Sequence, residues 1–353
     1  MMNFKEIELQ DKSAVDAVIC ASGCFGADYS FANLYIWRHT YKPLVYFGES
    51  RLIVTTADRQ YYSYPKGDGD VRPYIDMLIE EARSRGEKLV IRGLTDRTLD
   101  EFKLECPDYA DRFDIVEDRD NADYVYMTDK LRFLAGRKLA SKRNHIKHFI
   151  ANGDWQIKSV GASANGAEDS VAGAKDSAEV VKDSVAGAKV SVAGAKDSAE
   201  VAKDSVAGVK DSDGKPIEIA SIEEARAFVA EFYKEKEDPG LAEETVAINE
   251  MFDSFAELGF IGALLYQKGK PVAFTAGTKL GEAGMDVHFE KALPDVDGAY
   301  TMINREYVNM VAQMKPGVEF FNREEDMGIE GLRKAKLSYH PDILMMKYFA
   351  VEK

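Results

Sequence analysis

Cysteine, tryptophan and histidine are scarce in this chain, with 3, 2 and 5 among 353 residues. Cys20, Cys24 and Cys106 are too few for a disulfide framework. Cys20 and Cys24 have no second pair and no nearby histidine, which excludes a cysteine-rich zinc site and leaves buried or incidental thiols. No uncharged apolar run reaches the ~18 residues of a membrane span, and the best candidate, Phe260–Tyr266, is strand-length. The opening residues MMNFKEIELQDK mix both charge signs around no apolar core, so no secretory signal is expected and the protein reads as cytoplasmic. Positive charge is also short: 46 Lys and Arg against 61 Asp and Glu leave a net −15. Such a field repels polyanions, so a local basic patch becomes informative. The chain lacks Gly-x-Ser-x-Gly, a Walker loop, a dinucleotide fingerprint, HExxH and the kinase set, which removes most hydrolase, NTPase and dehydrogenase readings.

The length suits about two domains. A compositional break runs from Gly161 to Ser212, with Lys recurring every seventh residue at Lys175, Lys182, Lys189, Lys196, Lys203 and Lys210. Its seam of Ala178, Val185, Val192, Ala199 and Val206 is small-sided and its glycines oppose helix, so it reads as a solvated low-complexity insertion, a weak amphipathic helix or a coiled coil. On either side, helical and strand patterns alternate. The first stretch gives a helix near Asp11–Ala21, an aromatic-rich turn Tyr29–Trp37, short hairpin strands at Leu44–Phe47, Leu52–Thr55 and Tyr61–Tyr64, a helix Val71–Arg85 and a strand Lys88–Ile91. The second gives helices Ile222–Lys236 (N-cap Ser221) and Glu243–Leu258, a hairpin Phe260–Tyr266/Pro271–Thr278, a strand Asp286–Phe289, a helix Ala299–Val311, a strand Val318–Phe321, a short helix Gly331–Lys336 and a last strand Ile343–Ala350. Two α+β units with mixed sheets flanked by helices are expected, rather than a doubly wound sheet.

Chemistry-bearing residues concentrate in three places. Gly136–Phe149 holds five Lys or Arg and two His in fourteen positions without a carboxylate. Lys138, Lys142, Arg143, His145 and Lys147 there suit phosphate or another polyanion, or else form a solvated basic face. His145 and His148 have no Asp, Glu or Cys close in sequence, and no metal site is expected. Phe320–Pro341 places Asn322, Arg323, Glu325 and Asp326 at the end of a strand, followed by Arg333, Lys336 and Tyr339 on a short helix; this is a substrate site or a salt-bridge knot. Upstream, His288 and Glu290 follow a strand, and Glu290 can act as a general base, bind an ammonium group or form a surface ion pair.

The pairing of DYVYMTDKLRFLAGRKLASKRNHIKHF (Asp123–Phe149) with FNREEDMGIEGLRKAKLSYHP (Phe321–Pro341) resembles stand-alone bacterial proteins related to the carboxy-terminal domain of phosphatidylglycerol lysyltransferase. The resemblance covers nearly the whole chain outside the repeat. The family's closing motif, approximately Leu-x-x-Phe-Lys-x-Lys-Phe-x-Pro and then a Tyr, is matched in order by Leu332, Lys336, Tyr339, Pro341 and Tyr348, with Ala335 and Ser338 at its Phe and second Lys. The resemblance implies two GNAT-like domains in tandem, transfer of an acyl or aminoacyl group to a lipid or another amine or hydroxyl acceptor, and Lys336 as a catalytic residue, unless it only pairs with Glu324, Glu325 or Asp326. By their own chemistry Glu290 and Tyr339, the latter as proton donor or packing group, join it as catalytic candidates.

The expected division is 1–127 for the first domain, 128–160 for a connecting basic helix and strand, 161–213 for the insertion and 214–353 for the second domain. No cofactor is expected to be required. Acyl-CoA and aminoacyl-tRNA are the implied donors, and the membrane-spanning half of the lysyltransferases has no counterpart here, so contact with anionic lipid would be peripheral. GNAT folds hold the CoA pyrophosphate on a glycine-rich loop before a helix; that loop is missing, although Pro294–Gly298 sits where it would be. This favours aminoacyl-tRNA, with Lys138–Lys147 as the phosphate contact. A CoA-dependent N-acetyltransferase and a non-catalytic module for anionic ligands are the alternatives.

Overall fold

The computed structural model describes residues 2–161, 206–234 and 239–353. Short apolar runs, buried on both faces in β3, β11, β12 and β13, build two mixed sheets, each of eight strands among the described residues. The first contains β1 (Lys5–Glu6), β2 (Pro43–Phe47), β3 (Arg51–Thr56), β4 (Tyr62–Ser63), β5 (Lys66–Gly67), β6 (Val90–Thr95), β7 (Phe113–Glu117) and β16 (Lys347–Glu352), in the order β1-β2-β3-β4-β6-β16-β7 with β5 beside β3. The second contains β8 (Asp123–Met127), β9 (Trp155–Gly161), β10 (Glu218–Ser221), β11 (Ile261–Gln267), β12 (Lys270–Leu280), β13 (Gly284–Ala292), β14 (Phe320–Asn322) and β15 (Ile343–Met345), in the order β10-β9-β11-β12-β13-β14-β8-β15.

Helices form where apolar residues recur at helical spacing. In Ala299–Met314 the residues Ala299, Met302, Ile303, Tyr307, Met310 and Val311 are buried and pack on the second sheet. Ile222–Tyr233 starts as expected at Ser221, whose hydroxyl accepts from the Glu224 N–H at 3.1 Å, with Glu223 and Glu224 in the positive first turn. The aromatic segment expected as a turn is instead helical from Phe31 to Ile36, because Ser30 caps it and Phe31, Leu34 and Ile36 are buried. These side chains meet Phe228, Phe252, Leu264 and Phe274 in one apolar cluster that joins the two units.

The sheets exchange strands. The expected final strand Ile343–Ala350 is two strands: β15 pairs with β8 in the second sheet, and after Met346 the chain crosses to lie between β6 and β7 in the first. Likewise β8, within the residues 1–127 expected as the first domain, pairs with β14 and β15. A cut after residue 127 therefore does not follow the sheets. The apolar run reads as one strand because the change of sheet leaves backbone pairing intact on both sides of the crossing.

Lys347, the first residue of β16, is buried at this crossing, with Nζ 2.6 Å from Asp123 Oδ1 on β8 and 2.7 Å from Asp28 Oδ2. Burial opposes its charge, but Asp123 and Asp28 more than reverse that and hold the ammonium above its ordinary range.

The end of the expected insertion also belongs to the fold. Val206 and Val209 are buried, the Ser212 N–H donates to Glu306 Oε2 at 3.0 Å, and the Asp213 and Lys215 N–H groups donate to Asp211 Oδ1. Residues 162–205, which hold most of the repeat, lie outside the described residues. Moreover β9 and β10 are parallel, so a short loop cannot join the end of one to the start of the other.

Deleting residues 162–212 should therefore lower the melting temperature measurably, since each buried valine contributes about 1.5–3 kcal/mol; calorimetry against the full chain checks this. Replacing Lys347 with Met leaves two carboxylates facing each other at the crossing. It should cost about 3–5 kcal/mol in urea denaturation, and an unchanged midpoint would refute the tie.

Candidate functional site

Parallel pairing of β13 with β14 stops at Asp286↔Asn322, while β13 continues to Ala292. β14 ends there, so no further ladder joins the two strands, and Arg323 to Asp326 follow directly. Along the β12–β13 ladder, Ala276 pairs with Phe289 and Gly277 with Val287, so His288 is the extra residue of a bulge, a device that re-aims side chains next to sites.

On one side of Arg323 lies a cationic group. Arg323 Nη2 donates to Glu290 Oε1 at 2.7 Å, and Asn304, buried on the helix Ala299–Met314, donates to Glu290 Oε2 at 3.0 Å. The Arg323 guanidinium lies 5.0 Å from the Tyr339 ring centre and 5.8 Å from that of Tyr126. Its Nη1 is buried without a hydrogen-bond partner among the described residues. Burial opposes the guanidinium charge, and Glu290 restores it. Lys142, from the helix Ala140–Ala151, stands over the same Tyr339 ring at 3.9 Å. Burial and then repulsion from Arg323 lower its pKa to about 8, against the pull of Glu290.

On the other side the groups are acidic. Asn322 is buried; its Nδ2 donates to Asp123 Oδ2 at 2.8 Å and to the Phe25 carbonyl at 2.9 Å. Glu325 is pushed up to about 7 by burial, with Asp28, Glu324 and Asp123 adding to the effect against the pull of Lys347. His288 lies between Asp286 and Glu324, 3.7 Å and 3.3 Å away. Burial disfavours its charge, but Asp286 and Glu324 raise its pKa above the usual value.

Lys336 and Arg333 hold the segment between these groups. Lys336 is buried and donates to the Arg323 carbonyl at 2.6 Å and to the Glu325 carbonyl. Burial lowers its pKa, with Glu324 and Glu325 opposing. Arg333 makes a two-pronged contact with Asp326 at 2.7 and 2.9 Å and reaches Asp120 at 2.6 Å. Arg119 and the Tyr124 hydroxyl also bind Asp326; Arg333, Tyr124 and the Gly328 N–H overcome its burial to hold the carboxyl well below the usual range. Arg333 and Asp326 thus form a knot at the base of the loop.

The sequence candidates separate accordingly. Glu290, Arg323, Tyr339 and Lys142 come together; Asn322, Glu325 and His288 lie on the acidic side; Lys336, Arg333 and Asp326 fasten the loop. Of the remaining basic residues, Lys138 and Lys147 are exposed, Arg143 donates to the Leu134 and Gly136 carbonyls, and His145 is exposed and, like His148, lies 3.3 Å from Asp297. Sequence reasoning missed Asp28, Asp123, Asp286, Asn304 and Lys347. Asp123, before YVYM, and Lys347, before YFAV, carry one local signal, a charge at the head of an apolar strand segment; Asp28, in a short turn, and Asn304, on a helix, carry none.

Two mixed sheets with helices on their faces and a strand pair that parts at its end define a tandem GNAT-like α+β protein. Residues 23–216 and 207–351 match the family model described as phosphatidylglycerol lysyltransferase, C-terminal, and the chain belongs to that family. A conserved protein of unknown function from Bacteroides thetaiotaomicron VPI-5482 is 29% identical over 100% of both chains, with a TM-score of 0.77. L-PGS from Bacillus licheniformis shares the fold at 13% identity and a TM-score of 0.55, over 98% of this chain and 93% of its own. No curated protein matches the chain. No helix among the described residues is long and apolar enough to cross a membrane.

Glu325 makes stability depend on pH. Its folded value of about 7 lies above the ordinary 4.5, so the unfolded chain loses the proton first and the native state binds more protons between these values. Stability should fall as pH rises across that window. Glu325→Gln should flatten this part of a pH series of urea midpoints.

Proposed function

We propose that the chain transfers an acyl or aminoacyl group to an amine or hydroxyl acceptor, with aminoacyl-tRNA as donor. The observation that carries this reading is the buried, unpartnered Arg323 Nη1 beside Glu290, Tyr339 and Lys142 at the parting of β13 and β14. Acyl transfer needs a base for the nucleophile's proton and fixed donors for the charge that develops on the carbonyl oxygen. Glu290 takes the proton as the nucleophile adds to the donor ester, Arg323 and Lys142 face the oxyanion, and the leaving hydroxyl regains a proton as the ester bond breaks. Tyr339 holds both cations against its ring. Lys336 is a positioning residue, because its ammonium is engaged by the carbonyls of the loop that carries Arg323.

The preference for tRNA over CoA rests on the start of the helix Ala299–Met314. Gly298, at φ 80°, packs so closely on the Ala140–Ala151 helix that a Cβ there would collide with the His145 carbonyl oxygen. Asp297 adds a carboxylate at the same spot, where a pyrophosphate would need open N–H groups. The exposed Lys138 and Lys147 remain available for phosphates, in an association that weakens with salt.

Aminoacyl-tRNA should raise the melting temperature and acetyl-CoA should leave it unchanged; transfer from tRNA charged with labelled amino acids is then measured into phosphatidylglycerol vesicles and soluble amines. Glu290→Gln should cut turnover on the order of 10²-fold or more when assayed below the variant's melting temperature, which should itself fall because the buried Arg323 loses its carboxylate partner. Stabilisation and acetyl transfer with acetyl-CoA would replace this reading by an N-acetyltransferase. Anion binding without transfer from either donor would leave a non-catalytic module.

A further inference from the structure

Asp286 and His288 on β13 and Glu324 just after β14 each turn one ligand-type atom toward the others, all within 4.8 Å of one another. The side chains of Asp286 and His288 are 0% and 1% exposed, whereas that of Glu324 is 22% exposed and opens the cluster to solvent. His288 Nε2 lies 2.9 Å from Thr278 Oγ1 and 3.7 Å from Asp286 Oδ2, while Nδ1 lies 3.3 Å from Glu324 Oε1. Asp286 Oδ2 accepts from the Ser30 hydroxyl at 3.3 Å, but Asp286 Oδ1 is fully buried with no hydrogen-bond partner among the described residues. A buried carboxyl oxygen without a donor is satisfied either by a proton on the acid or by a cation beside it.

The neighbouring cations are already committed. Lys347 is held by Asp28 and Asp123, and Lys336 by two backbone carbonyls. Asp286 and Glu324 share the single imidazole, with Asp123 adding further negative field. The backbone fixes Glu324 in place: its φ is 57°, a costly conformation for a glutamate, and its N–H donates to Asn322 Oδ1 at 2.8 Å.

We propose that Asp286, His288 and Glu324 bind a divalent transition-metal ion of the zinc or manganese kind. Two carboxylates and a neutral imidazole supply a charge of −2 to match the ion. The mixed nitrogen and oxygen set suits these metals better than calcium or magnesium, which prefer oxygen alone. Ligand atoms at the usual ~2.0–2.2 Å around a tetrahedral ion stand about 3.4 Å apart, close to the 3.3 Å already between His288 Nδ1 and Glu324 Oε1. The Thr278 hydroxyl against Nε2 orients the ring and leaves Nδ1 free to ligate. Water completes the coordination on the solvent side, past Glu324. The ion fixes Glu324 between Arg323 and Glu325, and through the Ser30–Asp286 contact it ties the first unit to this loop.

The alternative is an imidazolium held between two carboxylates with no ion. Binding to the untagged full chain, stripped with a chelator, is measured by calorimetry with zinc and manganese chlorides, alongside melting curves. The site predicts saturable binding of one ion per chain by at least one of the two metals and a rise in melting temperature. Glu324→Gln, at the solvent-facing edge, should weaken affinity about 10–100-fold while its metal-free melting stays near wild type, and His288→Asn should abolish the saturable binding. Absence of saturable binding to the folded wild-type chain, or wild-type affinity in both variants, would overturn the site. These readouts need no transfer assay, so they stand apart from the proposed reaction.

Discussion

The buried ammonium of Lys347 between Asp123 and Asp28 is the tie on which the architecture turns. Asp123 opens a strand of the second sheet, Lys347 opens a strand of the first, and Asp28 comes from the segment leading into the Phe31–Ile36 helix. The three groups meet where the chain changes sheets. Burying such a set is expensive in desolvation, and an apolar replacement of the same shape would often be as stable. What the charges add is register: an apolar plug would tolerate a shift of β8 against β16, whereas an ion triad with Asn322 bonded to the same Asp123 does not. The parting of β13 from β14 is held to that registration through Asn322, the last residue of β14.

The segment from Asn322 to Asp326 then divides two electrostatic environments. Arg323 turns toward Glu290, Tyr126, Tyr339 and Lys142, while Glu324 and Glu325 turn toward His288 and the Lys347 triad. Neighbouring residues can point apart in this way because Glu324 and Met327 adopt positive φ, which breaks the strand's regular alternation. The group near Arg323 gathers two cations around one carboxylate, and the group near Asp286 gathers two carboxylates around one imidazole.

Much of the fold is legible from pattern. The helices Arg72–Ser84, Ile222–Tyr233 and Ala299–Met314 follow the spacing of their apolar residues, and β2, β3, β11 and β12 follow short apolar runs bounded by turn residues. Alternation cannot report a change of sheet, so Ile343–Ala350 reads as one strand. Nor does composition show where a repeat ends and a packed turn begins, so Val206 to Asp213 reads as insertion. The site is legible in part: clustering found Arg323, Glu290 and Tyr339, which meet in space. Asp286, Asp123 and Lys347 are invisible in isolation, because each is a charge beside apolar strand residues whose partners lie far away in sequence. Lys142 looked like one lysine among many, and only its burial over Tyr339 separates it from the solvated Lys138 and Lys147.

The closing motif acquires a different meaning in this setting. Lys336 spends its charge on the carbonyls of Arg323 and Glu325, Arg333 on Asp326, and the backbone carbonyl of Lys336 accepts from the Tyr126 hydroxyl at 2.7 Å. These contacts set the shape of the loop and leave its outward side chains free to differ. A motif of this kind is a signature of architecture: it constrains where Arg323, Glu324 and Glu325 point without dictating what they hold. In this chain those contacts fix the loop that follows β14, beside which Glu290, Arg323, Tyr339 and Lys142 come together.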